Sequence, residues 1–220
     1  MRRLPEDSIV TDLVPGSTSL YFFFGGIQGA LGMPPYEFYR AAQVLNANRV
    51  FVRDLAQAWY QRGLSGVGSS LEDIDAHLLS IIRRVGAAKI RWVGNSMGGF
   101  AALLFCARIG QGSATAFAPQ SFISASLRAA HGDTRWPEQI ARLHANLTGS
   151  EIMDLKSYLA KVRPSLPAQL YVARDDAMDM IHAGMLATFG NIVIHEVDTG
   201  GHELVKTLRD SGKLADILRA

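Results

Sequence analysis

The stretch WVGNSMGGFA, residues 92–101, decides how the rest of the chain is read. Four β-favouring residues, Ile90 to Val93, run into Gly94-Asn95-Ser96-Met97-Gly98, and Gly99 opens an apolar segment that reaches Ile109. Strand, sharp turn and helix in that order are the context a G-x-S-x-G motif needs. The demand is steric. A turn this tight strains the serine backbone, and side chains at the flanking glycine positions would collide with neighbouring elements. The helix that follows points its unpaired N–H groups back towards the serine oxygen, so Met97 N–H is a candidate oxyanion donor. A phosphate loop does not fit, because no Lys-Ser/Thr pair follows and the G-x-G-x-x-G spacing is absent. Service as a plain helix N-cap is the competing role for Ser96.

An activated serine needs a base, and the base needs an orienting partner. VDTGGHELV (197–205) places His202 after a strand end and a glycine pair. YVARDDAMD (171–179) ends another strand in Asp175, Asp176 and Asp179. Asp176 is preferred as the orienting acid, three residues beyond the expected strand end at Ala173. Asp179 is then free to cap the next helix, and Asp175 and Asp179 stay open as alternatives. FFFGGIQG (22–29) ends an early strand in Gly25-Gly26, which offers Ile27 N–H as the second oxyanion donor, with Gln28 beside it.

Outward from these motifs, strands alternate with helices. Strands are expected at 19–25, 48–54, 88–94, 113–119, 168–174 and 191–197, and SIVTDLV (8–14) is a candidate leading strand. Apolar residues at 71, 74, 78, 81, 82 and 85 predict an amphipathic helix. Further helices are expected at 97–109, 180–189 and 203–218. Such alternation implies a mainly parallel sheet with helices on both faces. Residues 121–165 carry helical patterns with no strand between them and read as a small helical cap inserted into a single domain, 1–220.

The chain has 220 residues, enough for one sizeable domain, with 48% hydrophobic and 19% charged residues. A net charge of +2 is too balanced for a nucleic-acid surface. One cysteine, Cys106 in ALLFCARIG, excludes an internal disulfide and a thiolate metal cluster and reads as a small buried hydrophobe. The start lacks a secretory apolar region, and LYFFFGG is too short to span a bilayer, so no membrane association and a cytoplasmic location are expected. No cofactor or metal is expected, since no ligand spacing such as H-E-x-x-H occurs. His77, His131, His144, His182 and His195 read as structural or surface residues. Gln28, Trp59, Phe122 and Trp136 are candidates for lining a substrate pocket.

Taken together, YFFFGGIQG, VGNSMGGFAALL, LYVARDD and TGGHE make the chain resemble the α/β-hydrolase superfamily over most of its length. The chain departs from the pattern at Gly25, where many relatives carry histidine. The resemblance implies an α/β-hydrolase fold, with Ser96 as nucleophile, His202 as general base and then acid, and Asp176 as orienting acid. It implies hydrolysis of a small to medium carboxylic ester or thioester through an acyl-enzyme. Acyl transfer with the same residues, and a non-catalytic binding protein on this fold, are the alternatives.

Overall fold

Three consecutive phenylalanines mark the centre of the sheet. In a computed structural model that describes residues 7–27, 36–162 and 165–220, strand β2 (Ser19–Phe24) lies between two parallel neighbours. These are β3 (Asn48–Val52) and β4 (Lys89–Asn95). A strand flanked on both sides and covered on both faces has no polar side, which is why Phe22, Phe23 and Phe24 follow one another without alternation. Phe22 stacks on Trp92 at 4.6 Å, and Phe23 faces the other way onto Phe51 at 5.2 Å.

The sheet continues through β5 (Ser113–Phe117), β6 (Ala168–Ala173) and β7 (Ile192–Val197), all parallel. The leading strand does form, as β1 (Ile9–Asp12), antiparallel to β3 at one edge. The order is β1-β3-β2-β4-β5-β6-β7.

Two apolar layers cover the two faces. Helices α1 (Leu71–Val85) and α2 (Met97–Ile109) cover one face against Phe22, Phe24, Val50 and Trp92. The other face, with Phe23, Phe51 and Val93, is covered by a 3₁₀ turn at Ala41–Val44 and by helices late in the chain. The helix expected from its stripe forms over Leu71–Val85. Ser70 and Asp73 close a capping box at its start, and Gly86 ends it at φ 64°. Cys106 is buried in α2, and burial pushes its thiol up to about 12.

The stretch 121–165 contains α3 (Ala125–His131), α4 (Pro137–His144) and α5 (Leu155–Val162). Its one strand-like feature among the described residues is an isolated bridge between Phe122 and Asp154. Helix α5 packs on α2 and on α6 (Ala177–Leu186), so it belongs to the same helical layer as they do. Two expectations need correction. Helix α6 begins at Ala177, three residues earlier than expected, because Asp176 caps it. The terminal helix is two helices, α7 (Leu204–Asp210) and α8 (Lys213–Arg219), divided at Gly212 with φ 78°.

Candidate active site

Register brings Phe24, Gly94 and Ala116 side by side at the carboxyl ends of β2, β4 and β5. The turn between β4 and α2 therefore projects Ser96 beyond the sheet edge. Its backbone stands at φ 55° and ψ −117°, a region that costs a non-glycine residue about 1–3 kcal/mol. The glycines make this turn possible. A Cβ on Gly94 would lie 1.9 Å from the Gly98 carbonyl oxygen, and one on Gly98 would lie 2.1 Å from that of Phe24. Ser96 occupies the N-cap position of α2, yet its side chain makes no capping hydrogen bond. Its Oγ lies 2.8 Å from His202 Nε2 instead.

His202 stands in a 3₁₀ turn at Gly201–Glu203 that follows β7. Gly200, at φ 138°, and Gly201, at φ 51°, turn the chain back over the sheet edge. The three aspartates after β6 then take three separate roles. Asp175 accepts the N–H groups of Gly200 and Gly201, at 3.1 and 2.9 Å, and so anchors the histidine turn. Asp176 accepts Asp179 N–H at 2.9 Å as the N-cap of α6. Asp179 faces the imidazole, with its oxygens 2.8 and 3.0 Å from His202 Nδ1. The expected assignment of Asp176 and Asp179 is thus reversed. Because the helix starts early, residue 179 falls on its first turn and points at the sheet edge. The partners define the tautomer: Nδ1 faces a carboxylate and carries the proton, leaving Nε2 to accept from the Ser96 hydroxyl.

Asp179 is fully buried. Besides His202 it meets the Arg135 guanidinium, whose Nη1 donates to Oδ1 at 2.7 Å. Arg135 comes from the turn between α3 and α4, where Trp136 follows in a left-handed conformation at φ 55°. The indole ring lies 6.0 Å from the His202 ring, so Trp136 does stand at the site. Burial works against the Arg135 charge, but hydrogen bonds to Asp179 and Asp133 outweigh it and raise its pKa.

On the opposite side, Gly26 packs against the elbow. A Cβ there would lie 3.6 Å from Ser96 Cβ and 3.1 Å from the Asn95 carbonyl oxygen. Gly26 N–H donates to Glu37 Oε2 at 2.8 Å, and Asn95 Nδ2 donates to Glu37 Oε1 at 2.7 Å. One carboxylate thus ties the loop after β2 to the elbow. Burial raises the Glu37 pKa against the effect of these two donors. Ile27 is part-buried in this loop, and Met97 is buried at the first position of α2. Gln28 lies outside the described residues.

Two expected pocket residues are wholly buried side chains. Trp59 is fully buried and donates Nε1–H to Gln120 Oε1 at 2.7 Å. Phe122 is fully buried, its ring 4.1 Å from that of His182. Both rings are inaccessible to solvent, so neither presents a surface to a ligand in this conformation. Arg135 and Glu37 were missed by sequence reasoning. Neither stands at a diagnostic spacing from Ser96 or His202, and only the unusual charge density of GDTRW (132–136) hints at the first.

Among the described residues, Asp176, Asp179 and His202 bring possible metal-ligand atoms within 4.8 Å of one another. The Asp179 carboxylate and the His202 ring are already spent on each other, and the Arg135 cation on Asp179 opposes a second positive charge. These residues suit proton transfer better than metal binding.

No family model matches the sequence, and no curated protein matches it. Solved structures do. A capsule O-acetyltransferase of Neisseria meningitidis serogroup A superposes with a TM-score of 0.69 at 16% identity, over 99% of this chain and 93% of that one. A fluorophosphonate-binding serine hydrolase of Staphylococcus aureus gives a TM-score of 0.62 at 12% identity, over 94% and 92%. A glycosylation-associated protein complex of Streptococcus agalactiae gives 0.66 at 16% identity. There this chain matches over 96% of its own length but spans only 43% of the other chain. Seven strands in this order, helices on both faces and these likenesses agree: the chain has the α/β-hydrolase fold.

Proposed function

We propose that this protein is a serine hydrolase of carboxylic esters or thioesters, working through an acyl-enzyme on Ser96. The observation that carries the reading is the hydrogen-bonded line Ser96 Oγ, His202 Nε2, His202 Nδ1, Asp179, at 2.8 Å for each of its two links. His202 takes the hydroxyl proton as Ser96 attacks the substrate carbonyl, and buried Asp179 stabilises the imidazolium that forms. Met97 N–H, at the start of α2, and Ile27 N–H, on the loop that Glu37 holds against the elbow, are assigned to the oxyanion. Proton return from His202 releases the alcohol or thiol, and the same imidazole then activates water. Trp136, beside the His202 ring, forms one wall for the substrate. A small organic substrate fits the inserted α3–α4 segment over the site.

The likeness to a capsule O-acetyltransferase favours a second reading, in which a hydroxyl acceptor replaces water. One experiment tests both. The protein is treated with a fluorophosphonate probe beside Ser96→Ala and His202→Ala, with folding checked by circular dichroism. Labelling confined to the unsubstituted protein supports the acyl-enzyme. Turnover of p-nitrophenyl acetate with and without glycerol then separates the readings, because a transferase diverts the acetyl group to glycerol. A native protein that neither labels nor turns over the ester would leave a binding protein on this fold.

A further inference from the structure

The acid of the proposed triad is held from outside the sheet. Asp179 lies on α6 with its carboxylate fully buried, and among the described residues its carboxylate oxygens meet two side chains, His202 and Arg135. Arg135 is itself part of a larger ionic cluster. Its Nε donates to Asp133 Oδ1 at 3.1 Å, and its backbone N–H donates to the same oxygen at 3.0 Å. Asp133 Oδ2 meets Arg128 Nη1 at 3.0 Å and His182 Nε2 at 3.2 Å. The Asp133 and Asp179 side chains are both fully inaccessible to solvent, and Arg128 and Arg135 supply the two matching charges.

We infer that Arg135 is a positioning residue for catalysis: its planar fork, braced on Asp133, holds Asp179 in the orientation that His202 needs. This inference rests on the proposed acyl-enzyme chemistry at Ser96. Two features favour a positioning role over simple charge pairing. Arg135 spans two carboxylates from different elements through Nε and Nη1, a geometry that lysine lacks. It also arrives from the α3–α4 turn, fixed by the left-handed Trp136 that packs beside His202. The triad acid is therefore aligned only when this inserted turn is seated. Once Arg135 is removed, Asp179 keeps His202 as its side-chain partner, while Asp133 keeps Arg128 and His182.

The test compares Arg135→Gln and Arg135→Lys with the unsubstituted protein, alone and in an Asp179→Asn background. Kinetics use p-nitrophenyl acetate, and proton NMR follows the downfield Nδ1–H signal of His202, assigned by its loss in His202→Ala. Arg135→Gln is expected to lower kcat about 10- to 100-fold while KM stays within about threefold, as misplacement by an ångström does. The Nδ1–H signal should broaden or vanish, and the same substitution should add almost nothing to Asp179→Asn. Arg135→Lys should recover part of kcat, losing only about threefold to tenfold, because an ammonium reaches one acid and not both. A folded Arg135→Gln with unchanged kcat and an intact Nδ1–H signal would overturn the inference, as would an equal further loss in the Asp179→Asn background. If Arg135→Gln fails to fold, unaltered kcat in Arg135→Lys overturns it. Should the unsubstituted protein show no turnover, the hydrolase reading fails, and the NMR comparison still decides whether Arg135 orients the Asp179–His202 pair.

Discussion

Two Ser-His-Asp sets among the described residues differ in almost everything except residue type. In the first, His202 turns Nε2 to Ser96 Oγ and Nδ1 to Asp179. In the second, His182 turns Nδ1 to Ser121, taking its backbone N–H at 3.0 Å and lying 3.2 Å from its hydroxyl, while Nε2 faces Asp133. The His202 side chain keeps 23% exposure, whereas Ser121 and His182 have none. Ser96 stands on a strained turn at a helix N-terminus, and Ser121 has no positive φ. An amide N–H donating to His182 Nδ1 makes that nitrogen an acceptor, so the ring is neutral with its proton on Nε2. Burial lowers the His182 pKa despite the neighbouring Asp133, which agrees with this state. The second set cannot admit a substrate and serves packing. On the proposed reading, the difference between the two sets is carried by backbone geometry and access, not by composition.

The contrast is broken most sharply at the serines. Ser96→Ala should lower ester turnover by about 10⁴-fold or more, and Ser121→Ala should leave it within about twofold. Comparable losses in both would dissolve the distinction. At the acids, Asp179→Asn should cost about 10⁴-fold in kcat through the wrong histidine tautomer. Asp176→Asn should cost little, since asparagine caps a helix equally well. Kinetics of the pair decide between the two aspartates, and a larger loss at 176 would restore the sequence-based choice. Asp133→Asn should act on stability, removing about 3–5 kcal/mol in urea unfolding as buried Arg128 and half-buried Arg135 lose a charged partner. A shift below about 1 kcal/mol would mean the cluster is not structural.

The smallest effect is a pH dependence of stability. The His182 pKa is lowered in the fold, so the unfolded chain binds the extra proton first, and stability is complete only above about pH 6.5. It declines as pH falls through that value. Asp133 acts in the same direction at lower pH. Burial opposes its charge, but hydrogen bonds from His182 and Arg135 hold its carboxyl below the usual range, so its contribution fades below about pH 4. The urea midpoint should therefore be lower at pH 5.5 than at pH 7.5, with a smaller difference in His182→Gln. An undiminished difference in that variant would assign the dependence to other groups, among them His77, whose pKa burial also lowers.

Much of this was legible from local pattern. The 71–85 stripe states a helix in chemistry confined to fifteen residues. Gly94, Ser96 and Gly98 state an elbow because each glycine excludes a specific backbone clash. His202 was legible from a glycine pair at a strand end. The acid was not, because three aspartates within five residues offer the same chemistry, and a three-residue difference in where α6 begins decides which of them meets the imidazole. Trp59 and Phe122 misled for a related reason. An aromatic ring suits a pocket wall and a core equally, and only burial separates the two.

By itself, then, the sequence determined the alternating strands and helices, the sharp turn at Ser96 and the glycine turn before His202, since each depends on contacts among near neighbours in the chain. Tertiary structure decided the division of labour among Asp175, Asp176 and Asp179, the pairing of Glu37 with Gly26 and Asn95, and the reach of Arg135 from the α3–α4 turn to Asp179. Those arrangements join residues from 11 to 58 positions apart, as between Glu37 and its two donors, or 44 apart, as between Arg135 and Asp179. Only the folded chain brings such charges together, and burying them makes a hydrogen-bonded partner obligatory.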